Sequence, residues 1–231
     1  MKAVSRRVLY FWVPLCLVLG SYTVAWAAKE VGPGQTLPSF TLKALNPEAA
    51  GAAYIKTNAY VGEGGSKKAA LISFFATYCE PCKKEMPFLG ALQRAYDEAG
   101  LQILLVSIDT EATEIEKAKA LALKHGLSFP VLSDRFNIVA KRYQVKELPR
   151  VYTANHAGLI QAVHTGYTEE ASQALLDDVR GILGVKSEAP LPSALAPFFK
   201  PPVAAAAKVK AKPGPRGKKK KKRNRVRRKK Q

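Results

Sequence analysis

The chain has 231 residues, 47% of them hydrophobic, which is enough for one ordinary domain with a buried core and flanking segments. Its formal net charge of +19 is concentrated at the ends, because residues 201–231 contain 15 Lys or Arg and no acidic residue. Residues 28–200 are close to neutral, so the charge does not indicate a nucleic-acid-binding domain.

The first 27 residues have the order of an export signal. A short basic region precedes the apolar run VLYFWVPLCLVLG, and the small residues of AWA at 25–27 form a cleavage pattern. We therefore expect residues 1–27 to be a signal peptide, or residues 8–28 to anchor the chain in a membrane if they are not cut. Both outcomes place the bulk of the chain outside the cytoplasm, in the periplasm or cell envelope.

The first half of the domain predicts short strands, then a buried strand and a helix. Residues 28–68 are rich in Gly, Ala and Pro and contain strand-like pieces such as SFTLKAL. The continuous apolar run AALISFF at 69–75 is typical of a strand buried on both faces. Apolar residues at helical spacing predict a helix over 82–99, and Gly100 is its stop signal.

The second half continues the alternation of strands and helices. LQILLVSID at 101–109 predicts a second buried strand, and residues 111–125 predict a helix. A short strand and helix follow, then a hairpin of RVYTA and LIQAVHT, then a helix that begins at the N-cap Thr168. This order predicts an α/β domain with a mixed sheet over residues 28–186. Residues 187–231 are rich in Pro, Ala and Lys, which predicts a disordered basic tail.

Cys79 and Cys82 are the only cysteines beyond residue 27, and they form a CxxC pair at the predicted strand-to-helix junction. A zinc site needs further ligands, and no spacing of the three histidines supports one. An inert disulfide would close too small a loop to restrict the unfolded chain much. A redox pair suits the position best, since Cys79 near the helix N-cap is an exposed nucleophile and the shielded Cys82 resolves.

The segment SFFATYCEPCKKEMP resembles the active-site segment of thioredoxin-like proteins, most closely the extracytoplasmic TlpA/ResA group of disulfide reductases. The resemblance covers residues 31–184 and includes PSFTL, Pro87 in the helix, and Pro149 before the third core strand. It implies a thioredoxin-like fold, with a central mixed β-sheet flanked by helices, an N-terminal β extension and a strand–helix insertion around 101–130. It implies a redox disulfide between Cys79 and Cys82 and no cofactor or metal.

The resemblance also assigns substrate docking to four residues. The bond between Leu148 and Pro149 is cis in the family and faces the cysteines, and Glu80 and Pro81 between the cysteines belong to the same substrate-binding surface. A fifth residue, Glu85, tunes the thiols in ResA-like proteins. Independently of the family, its place three residues after Cys82 on a helix allows it to accept or return a proton.

Three positions depart from the family pattern. Ser73 stands where thioredoxin has a buried aspartate, so aspartate-assisted deprotonation is lost, and Tyr78 replaces the usual tryptophan. Arg150 follows the proline, where a small or hydroxyl residue is common. Together with Lys83 and Lys84 it either makes the rim of the site basic, favouring acidic substrates, or is one of three solvated surface charges.

We therefore expect an exported thiol–disulfide oxidoreductase that reduces protein disulfides, with apocytochrome c cysteines as typical substrates of ResA-like relatives. Its electrons would come from a membrane thiol–disulfide donor, and residues 201–231 would bind an anionic envelope surface, with no physiological nucleic-acid partner. The direction of electron flow stays open, because Glu80 opposes thiolate formation while the helix N-terminus favours it. Two alternatives are a peroxiredoxin-like peroxidase, for which Ala76 stands where a threonine is needed, and an envelope-tethered binding module that acts through the tail.

Overall fold

The computed structural model describes residues 31–199, and in this range the chain forms seven strands and five α-helices. The strands are β1 (Thr41–Ala44), β2 (Tyr54–Lys56), β3 (Ala69–Phe75), β4 (Leu101–Ser107), β5 (Val131–Ser133), β6 (Arg150–Asn155) and β7 (Ile160–Thr165). The helices are α1 (Pro47–Ala50), α2 (Glu80–Tyr96), α3 (Ala112–Lys124), α4 (Ile138–Arg142) and α5 (Glu169–Leu183). Two 3₁₀ turns lie at Thr57–Ala59 and Ala196–Phe198.

The seven strands form one mixed sheet in the order β2-β1-β5-β4-β3-β6-β7. The pairs β3–β4 and β4–β5 are parallel, and the four other pairs are antiparallel. The β1–β2 hairpin adds to β5 at one edge, which is the predicted N-terminal extension. Residues 101–130, predicted to be a strand–helix insertion, contain α3 and the strand β4, which lies between β5 and β3 in the sheet. The sequence-based prediction of a thioredoxin-like α/β fold is therefore confirmed.

The central strands β3 and β4 explain the two continuous apolar runs of the sequence. All seven residues of each strand are buried. Side chains of β3 alternate between two cores, because successive residues of a strand point to opposite faces. Leu71 and Phe75 pack in one core with helices α2, α3 and α5, whereas Ile72 and Phe74 pack in the other with α4. Both cysteines belong to the first core.

Helix α2 begins two residues earlier than the apolar spacing predicts and ends three residues earlier. Its N-cap is Cys79, so Glu80 and Pro81 form its first turn. At the other end, Asp97 is the C-cap, and Gly100 reverses the chain into β4 at a φ of 104°. This positive φ suits glycine, which has no Cβ to clash with the following carbonyl.

The segment 187–199 packs on the domain, although the sequence-based prediction places it in a disordered tail. Leu195 is fully buried in the core that contains α2. The rings of Phe198 and Phe199 meet the ring of Phe88 on α2 edge-on, with centroids 5.6 and 6.0 Å apart. The domain therefore extends to at least residue 199. The sequence does not predict the packing of this segment, because its apolar residues are separated by Pro and Ala and show no regular period.

Arg180 of α5 holds the start of this segment. Its buried guanidinium donates to the carbonyl oxygens of Ala189 at 2.8 Å and Pro190 at 3.1 Å, and its Nε donates to the Tyr96 hydroxyl at 2.9 Å. The rest of the predicted tail and the predicted export segment lie outside the described residues. Within 31–199, no helix is both long and apolar enough to span a membrane.

Candidate active site

Cys79 and Cys82 are joined by a disulfide at the start of α2. Cys79 is the N-cap of this helix, and its sulfur accepts a hydrogen bond from the backbone N–H of Cys82 at 3.2 Å. In the reduced protein this N–H and the positive end of the helix dipole stabilise a thiolate on Cys79. The predicted N-cap position of Cys79 is thus confirmed.

The two cysteines differ in accessibility, but less than the sequence suggests. Cys79 is 7% exposed and Cys82 is 1% exposed. The expectation of an exposed Cys79 is therefore wrong, because its side chain packs into the core beneath the turn while Tyr78 stands out into solvent. Cys79 nevertheless remains the more accessible of the two, as attack on a large substrate requires.

The residues between the cysteines lie at the surface. Pro81 is exposed in the first turn of α2, where its missing N–H costs no helical hydrogen bond. The Glu80 carboxylate accepts a hydrogen bond from Nζ of Lys83 at 2.6 Å. This hydrogen bond, together with the positive charge of Lys83, lowers the pKa of Glu80. Lys83 thus offsets part of the negative charge that Glu80 brings to the helix N-terminus.

Glu85 is a buried carboxyl one helical turn beyond Cys82. Its side chain is 2% exposed, and burial raises its pKa from the ordinary value of 4.5 to about 8. A hydrogen bond from Oγ of Ser73, 2.9 Å from Oε2 of Glu85, acts in the opposite direction. At neutral pH the Glu85 carboxyl therefore holds its proton most of the time and can release it close to the cysteines.

Ser73 is a residue of the site that sequence reasoning missed. The sequence-based interpretation treats it only as the loss of an aspartate, whereas the structure makes it the hydrogen-bond partner of Glu85. A signal was present in the sequence. Ser73 lies in the middle of the apolar run AALISFF, and a hydroxyl in a strand buried on both faces requires a partner.

The loop that precedes Cys79 is held by a second buried carboxylate, Asp109, which the sequence analysis also missed. Its two oxygens accept hydrogen bonds from the backbone N–H of Thr77, both at 3.1 Å, and from the hydroxyl of Thr77 at 2.9 Å. Ser107 at the end of β4 donates to the same carboxylate at 2.7 Å. Asp109 is 4% exposed, so this network fixes the approach of the chain to Cys79.

The Leu148–Pro149 bond is cis, which confirms that part of the expectation. β6 begins directly after it at Arg150 and runs antiparallel to β3. β3 ends at Phe75, just before the turn that carries Cys79 and leads into α2, which we call the cysteine turn. The cysteine turn and the proline therefore lie at the same edge of the sheet. Leu148 also packs against the core cluster that contains both cysteines.

The Arg150 side chain is held by contacts with residues of β6 and β7. Its Nη1 donates to Oγ1 of Thr165 at 2.5 Å, and its guanidinium lies 5.7 Å above the centroid of the Tyr152 ring. Tyr152 belongs to the core on the opposite face of the sheet from the cysteines. The two interpretations of Arg150, a member of a basic rim with Lys83 and Lys84 or a solvated surface charge, both stay predictions.

The described part of the chain contains no group of three or more His, Cys, Asp and Glu side chains arranged to hold a metal ion. The two sulfurs bond to each other instead. A CxxC disulfide at the N-terminus of a helix, next to a cis-proline at the same edge of a mixed sheet, defines the class of thioredoxin-like thiol–disulfide oxidoreductases.

The chain belongs to the AhpC/TSA family, whose family model matches residues 33–163. It is 32% identical over 171 residues to the thioredoxin-like protein YneN of Bacillus subtilis, which covers 71% of this chain and 94% of that protein. It is also 30% identical over 151 residues to the thiol-disulfide oxidoreductase ResA of Geobacillus thermodenitrificans, covering 65% and 79% of the two chains. These relatives confirm the resemblance to the ResA group.

Solved structures show the same fold. A protein of Chlorobium tepidum assigned as the thiol:disulfide interchange protein DsbE superposes with a TM-score of 0.57 at 22% identity, over 66% of this chain and 98% of its own. A protein of Bacteroides thetaiotaomicron assigned as a protein disulfide isomerase superposes with a TM-score of 0.55 at 21% identity, over 66% and 90%. At these identities the likeness concerns the fold alone.

Proposed function

We propose that this protein reduces disulfide bonds in other proteins outside the cytoplasm, with Cys79 as nucleophile and Cys82 as resolving cysteine. The observation that carries the proposal is the position of Cys79 as the N-cap of α2, in a disulfide with the more deeply buried Cys82. The N-cap position gives one sulfur a stabilised thiolate and leaves the other for the second step.

The reaction consists of two exchanges. The thiolate of Cys79 attacks one sulfur of a substrate disulfide, forming a mixed disulfide and releasing the other substrate sulfur as a thiolate. Cys82 then loses its proton and attacks the sulfur of Cys79, which restores the Cys79–Cys82 disulfide and releases the second substrate thiolate. The substrate gains two electrons, and a dithiol donor must reduce the protein again before another cycle.

Glu85 is the proton acceptor and donor for Cys82. The two residues are separated by one helical turn and share one face of α2. Because burial raises the pKa of Glu85 to about 8, its carboxyl and a thiol have similar affinities for a proton. Such a match allows the ionised fraction of Glu85 to accept the proton of Cys82 when the mixed disulfide is resolved, and to return it when the disulfide is reduced.

The substrate chain lies against the edge of the sheet where the cysteine turn meets Leu148 and Pro149. Leu148 is half-buried against the core around the cysteines, and Glu80 and Pro81 are exposed in the first turn of α2. An extended substrate segment that contacts Leu148 and Pro149 would bring its disulfide to Cys79.

The burial of Cys82 supports the reductase direction. Cys82 is 1% exposed, and burial disfavours a charged sulfur, so the reduced protein gains little from ionising Cys82. A dithiol whose reduced form is weakly stabilised gives up its electrons readily. The helix N-terminus acts in the opposite direction, because it stabilises a thiolate on Cys79, and the reduction potential measures the balance.

The same proposal includes a compartment and partners. The export pattern of residues 1–27 and the Cys79–Cys82 disulfide are both typical of a protein outside the cytoplasm, in the periplasm or cell envelope. There, a membrane thiol–disulfide protein would supply electrons, and cysteine pairs of apocytochrome c are one class of substrate. Residues 201–231 would hold the protein at an anionic surface of the envelope.

The test is the catalysed reduction of insulin disulfides by dithiothreitol, together with the reduction potential of the Cys79–Cys82 pair. We expect turnover that is lost in Cys79→Ser, and a potential clearly below the value of roughly −180 mV of protein disulfide isomerase. A higher potential would indicate an oxidase. Peroxide consumption without insulin reduction would favour the peroxidase alternative, for which the buried Ala76 offers no hydroxyl three residues before Cys79.

A further inference from the structure

Ser73 and Glu85 form a polar pair inside an otherwise apolar environment. Ser73 is fully buried in β3, and its register neighbours on the two adjacent strands are Leu105 and Val151. Its hydroxyl donates to Oε2 of Glu85 at 2.9 Å. A hydroxyl buried without a partner is costly, so the presence of serine at this point of the strand is explained by the carboxyl that it meets.

We propose that Ser73 is a positioning residue for the dithiol, which holds Oε2 of Glu85 against β3 and leaves Oε1 to exchange a proton with Cys82. The proposal rests on the role of Glu85 proposed above. It adds a residue that touches neither sulfur nor substrate and acts through the carboxyl alone.

A serine hydroxyl suits this task because it serves both protonation states of its partner. It donates to the ionised carboxylate, and it can accept a hydrogen bond from the protonated carboxyl. An aspartate at position 73 would instead place a second buried carboxylate against Glu85, and the two could not both ionise at low cost. The site therefore holds the buried carboxyl next to Cys82 on the helix and uses the strand to orient it.

Other titratable groups also face Glu85 and must be separated from its effect. Cys82 lies on the same helix, and Cys79 is its N-cap. Burial raises the pKa of Tyr167, and the charge of Glu85 raises it further. His164 of β7 lines the same small crevice as Glu85 and Tyr167, and its Nε2 is 2.6 Å from Oδ2 of Asp178 on α5.

The experiment measures the resolving step as a function of pH. Reduced protein is mixed with an aromatic disulfide reagent that releases one coloured thiolate when Cys79 attacks and a second when Cys82 resolves. Ser73→Ala removes the donor to the ionised carboxylate, which raises the pKa of Glu85 above its value of about 8. We expect the rate of the second release to fall by about tenfold at neutral pH, and the pH profile of this rate to move to higher pH. The effect is large because a hydrogen bond to a charged group is among the stronger ones.

The matched pair Ser73→Thr and Ser73→Val differs only in the hydroxyl, and β-branched residues suit a strand. We expect Ser73→Thr to keep the wild-type pH profile and Ser73→Val to show the same shift as Ser73→Ala. If Ser73→Ala does not fold, this pair still tests whether the hydroxyl is required. In a Glu85→Gln background, Ser73→Ala should shift the profile no further, which excludes effects through Tyr167 or His164.

The results separate this proposal from the proposed function. If Glu85→Gln shifts the profile and loss of the Ser73 hydroxyl does not, the role of Ser73 is wrong and that of Glu85 stands. An equal effect of Ser73→Ala in the wild type and in the Glu85→Gln background would also overturn the proposed role of Ser73, since a residue that matters only for packing would behave in this way. If Glu85→Gln leaves the profile unchanged, the role of Glu85 fails and this proposal fails with it, while insulin reduction still tests the reductase.

Discussion

The backbone N–H of Cys82 donates to the sulfur of Cys79 at 3.2 Å, so the proposed resolving cysteine supplies a hydrogen bond to the sulfur that it would attack. The bond exists because Cys79 is the N-cap and Cys82 is the third residue of the helix, the usual donor to an N-cap side chain. The CxxC spacing therefore fixes two things together: closure of the disulfide and stabilisation of one thiolate.

The first prediction is a difference in thiol reactivity. In the reduced protein, iodoacetamide should modify Cys79 at least about tenfold faster than Cys82 at neutral pH, because only Cys79 has the helix N-terminus to stabilise its thiolate. Mass spectrometry of peptides after short reaction times measures both rates. The single variants Cys79→Ser and Cys82→Ser give each rate alone. Faster modification of Cys82 would contradict the assignment of roles.

The second prediction concerns stability and pH in the oxidised protein, where the cysteines do not titrate. Burial raises the pKa of Glu85 from 4.5 to about 8, so the folded state holds a proton that the unfolded state has released between these values. The free energy of unfolding should therefore fall as pH rises through this window, by a few kcal/mol at most.

Glu85→Gln removes this dependence while keeping an oxygen that can accept from Ser73. Urea unfolding of wild type and variant across the window measures it, and the stability of Glu85→Gln relative to wild type should grow with pH. If the free energies of unfolding of wild type and Glu85→Gln differ by the same amount from acid to alkaline pH, the Glu85 carboxyl does not hold its proton in the folded protein.

The third prediction concerns the C-terminal segment 187–199. Deletion of residues 187–231 removes fully buried Leu195 and the two rings on Phe88, and exposes apolar surface of α2. We expect the free energy of unfolding to fall by about 2–5 kcal/mol, the usual cost of emptying a buried apolar site. Deletion of residues 200–231 is the control and should change it little. Equal stability of the two truncated proteins would show that the segment does not hold the core.

The fourth prediction tests the proposed role of residues 201–231. Their 15 basic residues should bind vesicles that contain anionic lipid, and binding should weaken steeply between low and physiological salt. Sedimentation with vesicles measures this, and zwitterionic vesicles are the control. The protein without residues 201–231 should lose binding and keep insulin reduction. Salt-independent binding, or binding retained after the deletion, would contradict an electrostatic role.

The sequence predicts the fold well where a local pattern has one structural meaning. The apolar runs of β3 and β4 indicate strands buried on both faces, and Thr168 is the N-cap of α5 as its hydroxyl and position suggest. Cys79 and Cys82 are visible as a redox pair because their spacing and their place before a helical pattern are local features as well.

The sequence does not predict contacts between residues that are distant along the chain. Asp109 holds Thr77 from 32 positions away, and Arg150 donates to Thr165 on the neighbouring strand. The packing of Leu195 is equally hidden, because a single apolar residue among Pro and Ala has no period. These positions depend on which strands become neighbours, and local propensity does not determine that.

The most direct test of the account is the capture of a mixed disulfide. Reduced Cys82→Ser protein is mixed with a small disulfide-bonded protein, quenched with acid and examined by mass spectrometry without reductant. We expect a covalent complex through Cys79 that dithiothreitol cleaves. We expect little accumulation with the wild type, because Cys82 resolves the complex, and none with Cys79→Ser. Absence of the complex with Cys82→Ser, in protein whose Cys79 is shown to be reduced, would contradict the thiol–disulfide exchange on which the account rests.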